Sequence, residues 1–149
     1  MPPLCLEKAR QAGLAVPNFY VSNGFFEPPV IIDPINPFMI RSRKILKSGR
    51  EHSIAKSMTR NFTYAICCQE LPPNAHILYF RAVLGNCNSS RYLPLARAIW
   101  YLFGIPLAKV RVIVNGSKEP LLSDISQLLP SKLSKRELAY LQGETRWQK

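Results

Sequence analysis

Val110-Arg-Val-Ile-Val-Asn-Gly-Ser-Lys-Glu-Pro-Leu-Leu-Ser-Asp-Ile-Ser-Gln-Leu-Leu129 carries the plainest structural pattern in the chain. Val110 to Val114 is β-branched at every position but Arg111 and reads as a strand. Asn115-Gly116 is the strongest hairpin signal in the chain, because a tight two-residue turn needs positive φ at both central positions. Pro120 to Leu129 is then the returning strand, and the closing region is an antiparallel hairpin.

Upstream, Tyr92 to Phe103 has helical period, with Leu95, Ile99, Leu102 and Phe103 able to share a face and Gly104 ending it. Thr63 to Leu71 is rich in β-formers. Ile77 to Leu84 fits strand or helix, since a short apolar run does not distinguish them. Phe38 to Lys47 alternates, Ser48-Gly49-Arg50-Glu51 is a turn, and His52 to Met58 reads as the strand returning from it. Phe25 to Pro37 carries four of the 13 prolines and is expected to be an extended edge followed by a loop. Val16 to Ser22 is an aromatic-rich strand ended by Asn23-Gly24, and Pro2-Pro3 opens a short helix to Gln11 closed by Gly13. Downstream, Ser134 with Glu137 is a capping box opening a final helix to Leu141. The sum is an α+β chain, mainly antiparallel hairpins with helices packed on them.

Composition bounds the rest. The 149 residues suit one domain or two very small ones, and 47% apolar content is globular. No run of about 18 apolar residues predicts a membrane span, and Met1-Pro-Pro-Leu-Cys-Leu-Glu7 does not resemble a secretory signal. Twenty Lys and Arg against nine Asp and Glu leave a net charge of +11, which implies an anionic neighbour without naming it. Cys5, Cys67, Cys68 and Cys87 contain no C-x-x-C pair, and His52 and His76 stand far apart. No metal site is expected, and the thiols read as reduced and mostly buried in a cytoplasmic protein. The 7 glycines form no G-x-x-x-x-G-K loop, which argues against a nucleotide-driven enzyme.

Three segments can carry chemistry. Arg41, Arg43, Lys44, Lys47, Arg50, Lys56 and Arg60 form a basic cluster whose bland reading is a solvated hairpin face. Strand alternation nevertheless puts Arg43 on one side with Ile45, and an arginine on an inner face needs a carboxylate from protein or ligand. Asp124 stands alone in an apolar strand, either as an edge or cap residue or as a buried acceptor for a ligand. Val83-Leu84-Gly85-Asn86 is an ordinary turn, or a place where backbone approaches a ligand.

Four blocks taken in order resemble chorismate lyase, the chorismate pyruvate-lyase of ubiquinone biosynthesis. They are Gln11-Ala-Gly-Leu-Ala-Val-Pro17 with Gly24-Phe25; Ile40-Arg-Ser-Arg-Lys-Ile-Leu-Lys-Ser-Gly49 through Ile54-Ala-Lys-Ser57; Val83-Leu-Gly85; and Val110–Val114 through Glu119-Pro-Leu-Leu-Ser-Asp124 and Leu129-Pro130. The resemblance implies a single chorismate lyase-like domain over 1–149, its N-terminal helix shortened, with 134–149 as a C-terminal helix and tail. It implies cofactor-free elimination of pyruvate from chorismate to give 4-hydroxybenzoate. Arg43 and Asp124 would be catalytic, with Arg43 pairing with a substrate carboxylate and Asp124 standing where the family has glutamate. Leu84, Gly85 and Cys5 would complete the substrate site. The competing expectations are an inactive domain of the same fold that binds a small aromatic acid, and a basic nucleic-acid-binding protein. Nucleic acid is the weaker partner, because aromatics are not interleaved with the basic cluster. The oligomeric state is open, with a monomer favoured.

Overall fold

The computed structural model describes residues 2–35, 41–116 and 118–143. Its elements in chain order are α1 (Pro2–Gln11), β1 (Phe19–Ser22), β2 (Val30–Pro34), β3 (Arg43–Ile45), α2 (Glu51–Met58), β4 (Ile66–Glu70), β5 (His76–Val83), α3 (Leu93–Phe103), β6 (Leu107–Val114), β7 (Leu121–Gln127) and α4 (Lys135–Leu141). The fold is mixed α+β with antiparallel sheets. One sheet has the order β1-β4-β2-β3 and the other β5-β6-β7. The chain divides into two compact units, 1–77 with 112–124 and 78–111 with 125–149.

In the first unit β2 lies between β4 and β3, with Ile32 opposite Cys68 on one side and Arg43 on the other. The expected extended edge is therefore an interior strand. Its prolines fall before it, at Pro28 and Pro29, and at its last residue, Pro34, so Val30-Ile-Ile is free to donate to both neighbours. Both of its faces are covered. Val30 and Ile32 join Ile45, Ile54, Met58 and Ile66 in one core cluster, and Ile31 joins Leu71 and Ile113 in another. That accounts for a continuous apolar run rather than alternation.

The expected strand from His52 to Met58 is the helix α2. Ile54, Ala55 and Met58 are its buried residues, an i, i+1, i+4 stripe, and Glu51 stands in the first turn where the helix dipole favours an acid. In seven residues the same apolar positions also fit alternation. The strand expected from Phe38 shrinks to Arg43–Ile45, an edge strand; residues 38–40 lie outside the described residues.

In the second unit α3 buries Leu93, Ala96 and Ile99, while Leu95, Leu102 and Phe103 are only partly covered. Gly104 closes the helix at φ 63° with its N–H donating to the Trp100 carbonyl. Ser134 caps α4 in a full capping box with Glu137. Val83, Leu107 and Leu128 form this unit's core, with Leu84, Leu133, Tyr140 and Leu141 packed against it. Arg146 and Lys149 of the expected tail lie outside the described residues.

Candidate functional site

The second unit contains a cavity of about 810 Å3. Strand period places Tyr79 and Arg81 on one face of β5, and β6 supplies Lys109. Phe80 and Tyr92 are also among the lining residues, and their rings stack on each other at 5.0 Å between centroids and 2° between planes. Lys109 Nζ lies 4.8 Å from the Tyr79 ring centroid, a cation–π distance. A 3-10 turn, Pro130–Lys132, brings Lys132 to the rim.

Arg81 is fixed rather than loose. Its Nη1 donates to Glu137 Oε1 at 2.8 Å and its Nη2 to the Lys132 carbonyl at 2.6 Å. Glu137 Oε1 also accepts from the Ser134 backbone N–H at 2.9 Å. One buried carboxylate thus caps α4 and anchors the arginine that holds the Lys132 turn. The described residues of this unit carry Arg81, Arg91, Arg97, Lys109, Arg111, Lys132, Lys135 and Arg136 against a single acid, Glu137. The cavity wall therefore combines flat aromatic surface with three cations, Arg81, Lys109 and Lys132. Such a wall suits a ligand with an aromatic ring and several negative charges.

The five residues expected to form a site are placed as follows. Arg43 is exposed at the start of the edge strand β3, not on an inner face. The buried arginine is Arg111, 4% exposed on β6. Asp124 is half-buried on β7. Cys5 is half-buried on α1. Leu84 and Gly85 are the central pair of a two-residue hairpin, at φ 48° and 80°, closed by Val83 N to Asn86 O at 2.8 Å and Asn86 N to Val83 O at 3.0 Å. A Cβ on Gly85 would stand 3.0 Å from Trp100 Cβ, so the close approach that requires glycine is to α3. Arg43, Asp124 and Cys5 belong to the first unit, Leu84 and Gly85 to the second, and none of the five lines the cavity.

The first unit holds a buried polar cluster with no sequence signal beyond a lone Gln in Ile66-Cys-Cys-Gln-Glu70. Gln69 Nε2 donates to Asp33 Oδ2 at 3.1 Å and to the Ser123 carbonyl at 2.8 Å, and Ser123 Oγ donates to Gln69 Oε1 at 2.6 Å. All three residues are buried. Beside them, burial pushes the Cys68 thiol up to about 12 and raises the Tyr20 hydroxyl. Among the described residues no three His, Cys, Asp or Glu gather as a metal site, and no helix is long and apolar enough to cross a membrane.

No protein-family model matches the chain, and no curated protein matches it. Solved structures do. The ATP-grasp ligase PsnB, complexed with a phosphomimetic variant of its minimal precursor, Mg and ADP, superposes with a TM-score of 0.60 at 16% identity, covering 94% of this chain and 51% of PsnB. A RimK domain protein ATP-grasp from Sphaerobacter thermophilus gives 0.66 at 16% identity, over 93% of this chain and 65% of that one. The D-alanine–D-alanine ligase of Bacillus anthracis complexed with ATP gives 0.64 at 10% identity, over 95% and 58%. The chain spans between about half and two-thirds of the length of these structures.

These likenesses overturn the chorismate lyase resemblance, and with it the lyase activity, the chorismate and 4-hydroxybenzoate ligands and the place in ubiquinone biosynthesis. The four blocks that suggested it are β-branched runs, Gly and Pro punctuation and Leu-Leu pairs. Antiparallel α+β chains of many kinds need such elements in similar order. The missing G-x-x-x-x-G-K loop loses its weight too, since solved structures of similar fold hold ADP, AMPPNP or ATP. At these identities the likeness concerns architecture: the chain has a fold similar to a large part of the ATP-grasp ligases.

Proposed function

We propose that the chain handles an adenine nucleotide as part of an ATP-dependent ligase, with the second-unit cavity as the nucleotide's seat. The observation that carries this reading is the fold likeness, over 93% or more of the chain, to ATP-grasp ligases solved with ADP, AMPPNP or ATP. The cavity supports it. Tyr79 and the Phe80–Tyr92 pair offer surface for a base to stack on, a contact of about 1–3 kcal/mol where aromatic side chains meet bases. Lys109 and Lys132 supply ammonium groups for phosphate oxygens, and Arg81 keeps part of its guanidinium exposed beside its bonds to Glu137 and Lys132. In a ligation these groups would bind and orient the phosphates and oppose the charge that builds on them.

Magnesium accompanies the nucleotide in PsnB. Among the described residues the cavity lining contains no carboxylate, and the unit's one described acid is committed to Arg81 and Ser134. That donor set does not fit a divalent cation, and no step is derived through one.

The test is a calorimetric titration with ATP, ADP and adenosine. ATP should bind more tightly than adenosine, and Tyr92→Ala should weaken both by about tenfold. Equal, negligible heats for all three would remove the reading. A cytoplasmic location and small-molecule partners belong to the same proposal, supported by the buried cysteines Cys67, Cys68 and Cys87, none of them in a disulfide.

A further inference from the structure

We infer that the second-unit cavity takes its nucleoside polyphosphate as the metal-free anion, with Arg81, Lys109 and Lys132 in the role a divalent cation would otherwise fill. The inference rests on the nucleotide reading and adds the charge state of the ligand. Magnesium on a nucleotide keeps one or two protein carboxylates beside the phosphates and waters it coordinates. The described part of this unit has one carboxylate, Glu137, and both of its contacts are internal: it is buried, accepts from the Ser134 N–H and Arg81, and lies outside the cavity lining. Among the described residues the lining instead presents three cations and no acid. A divalent cation placed among them meets like charge, whereas the fully charged phosphates meet opposite charge. Arg81 is held in place by two hydrogen bonds, and Lys109 packs over the Tyr79 ring, so the cationic wall is preformed rather than gathered by the ligand.

The experiment titrates the protein with ATP in EDTA and again in excess magnesium, and repeats both with Lys109→Ala, Lys132→Ala and the charge-preserving Lys109→Arg. Circular dichroism checks each variant for the native fold. The expected result is binding in EDTA at least as tight as in magnesium. Each alanine variant should weaken ATP by about tenfold, with Lys109→Arg restoring most of the loss. Affinity should also fall steeply with added salt. Binding that appears only with magnesium would overturn the inference and leave the nucleotide reading standing. Absence of binding in both buffers would overturn that reading, and this inference with it.

Discussion

The two units of the chain carry charge and polar groups in opposite ways. The first holds ten Lys and Arg against seven Asp and Glu among its described residues, and its Gln69–Asp33–Ser123 cluster is buried. The second holds eight against one, and turns three of its cations to a cavity. The excess of +11 is therefore not an even coat. The unit with the near-balanced surface carries the strand covered on both faces, and the unit with the unopposed charge carries the space for a ligand. A basic cluster conspicuous in sequence, Arg41 to Arg60, belongs to the unit where acids offset it, whereas the cavity cations are scattered singly through β5, β6 and the turn after β7.

The contrast can be broken most severely at Gln69. Replacing it by alanine removes its three buried hydrogen bonds to Asp33 and Ser123, and chemical denaturation should show a loss of about 3 kcal/mol. Nucleotide affinity of the remaining folded protein should stay within twofold; a large loss of affinity would mean that the first unit is not merely structural. Glu137→Ala is the counterpart in the second unit. It removes one of the two hydrogen bonds of the α4 capping box and releases Arg81, so both properties should change: about 2 kcal/mol of stability and several-fold weaker ATP binding. If stability alone changes, Arg81 does not position the cavity.

A smaller effect separates the units by pH. The Cys68 thiol, ordinarily 9.0, is pushed up to about 12 by burial in the first unit. A raised folded value means stability fully present below the unfolded value and lost as pH climbs through the folded one. Between pH 9 and 12 the unfolded chain ionises while the native thiol stays protonated, so melting temperature should fall across that window, with Tyr20 acting in the same direction. Cys68→Ala should flatten the slope; an unchanged slope would assign it to other groups. The smallest effect is expected from Arg43→Ala. Exposed on an edge strand, Arg43 should give less than about 0.5 kcal/mol in stability and no measurable change in ATP affinity.

Local grammar was legible in the sequence. The Ser134–Glu137 box, the Gly104 stop and the Pro2 start involve residues within a few positions of one another, and each stands where its pattern put it, whereas the tight turn expected at Asn115-Gly116 is a longer connection from Val114 to Leu121. His52 to Met58 failed because seven residues fit two periods, and only packing of Ile54, Ala55 and Met58 decides between them. The candidate site was less legible. Arg81 meets Glu137 across 56 positions, and Gln69 meets Ser123 across 54, separations that no local pattern encodes. Glu137 was recognised as a cap, but nothing nearby marks it as the partner of a strand arginine. The family resemblance failed for a related reason: its blocks shared turn and strand chemistry, which specifies hairpins rather than ancestry.

The carboxylate of Glu137 also bears on the order of folding. Its bond to the Ser134 N–H needs only one helical turn, which forms on the microsecond scale or faster, while its bond to Arg81 waits for a distant strand. The local bond spans three residues and the distant one 56, so the loop to be closed for the first is far shorter. Docking β5 then requires one long loop closure and no further ordering of its receptor, so α4 can serve as a template on which the cavity's cationic wall is assembled late.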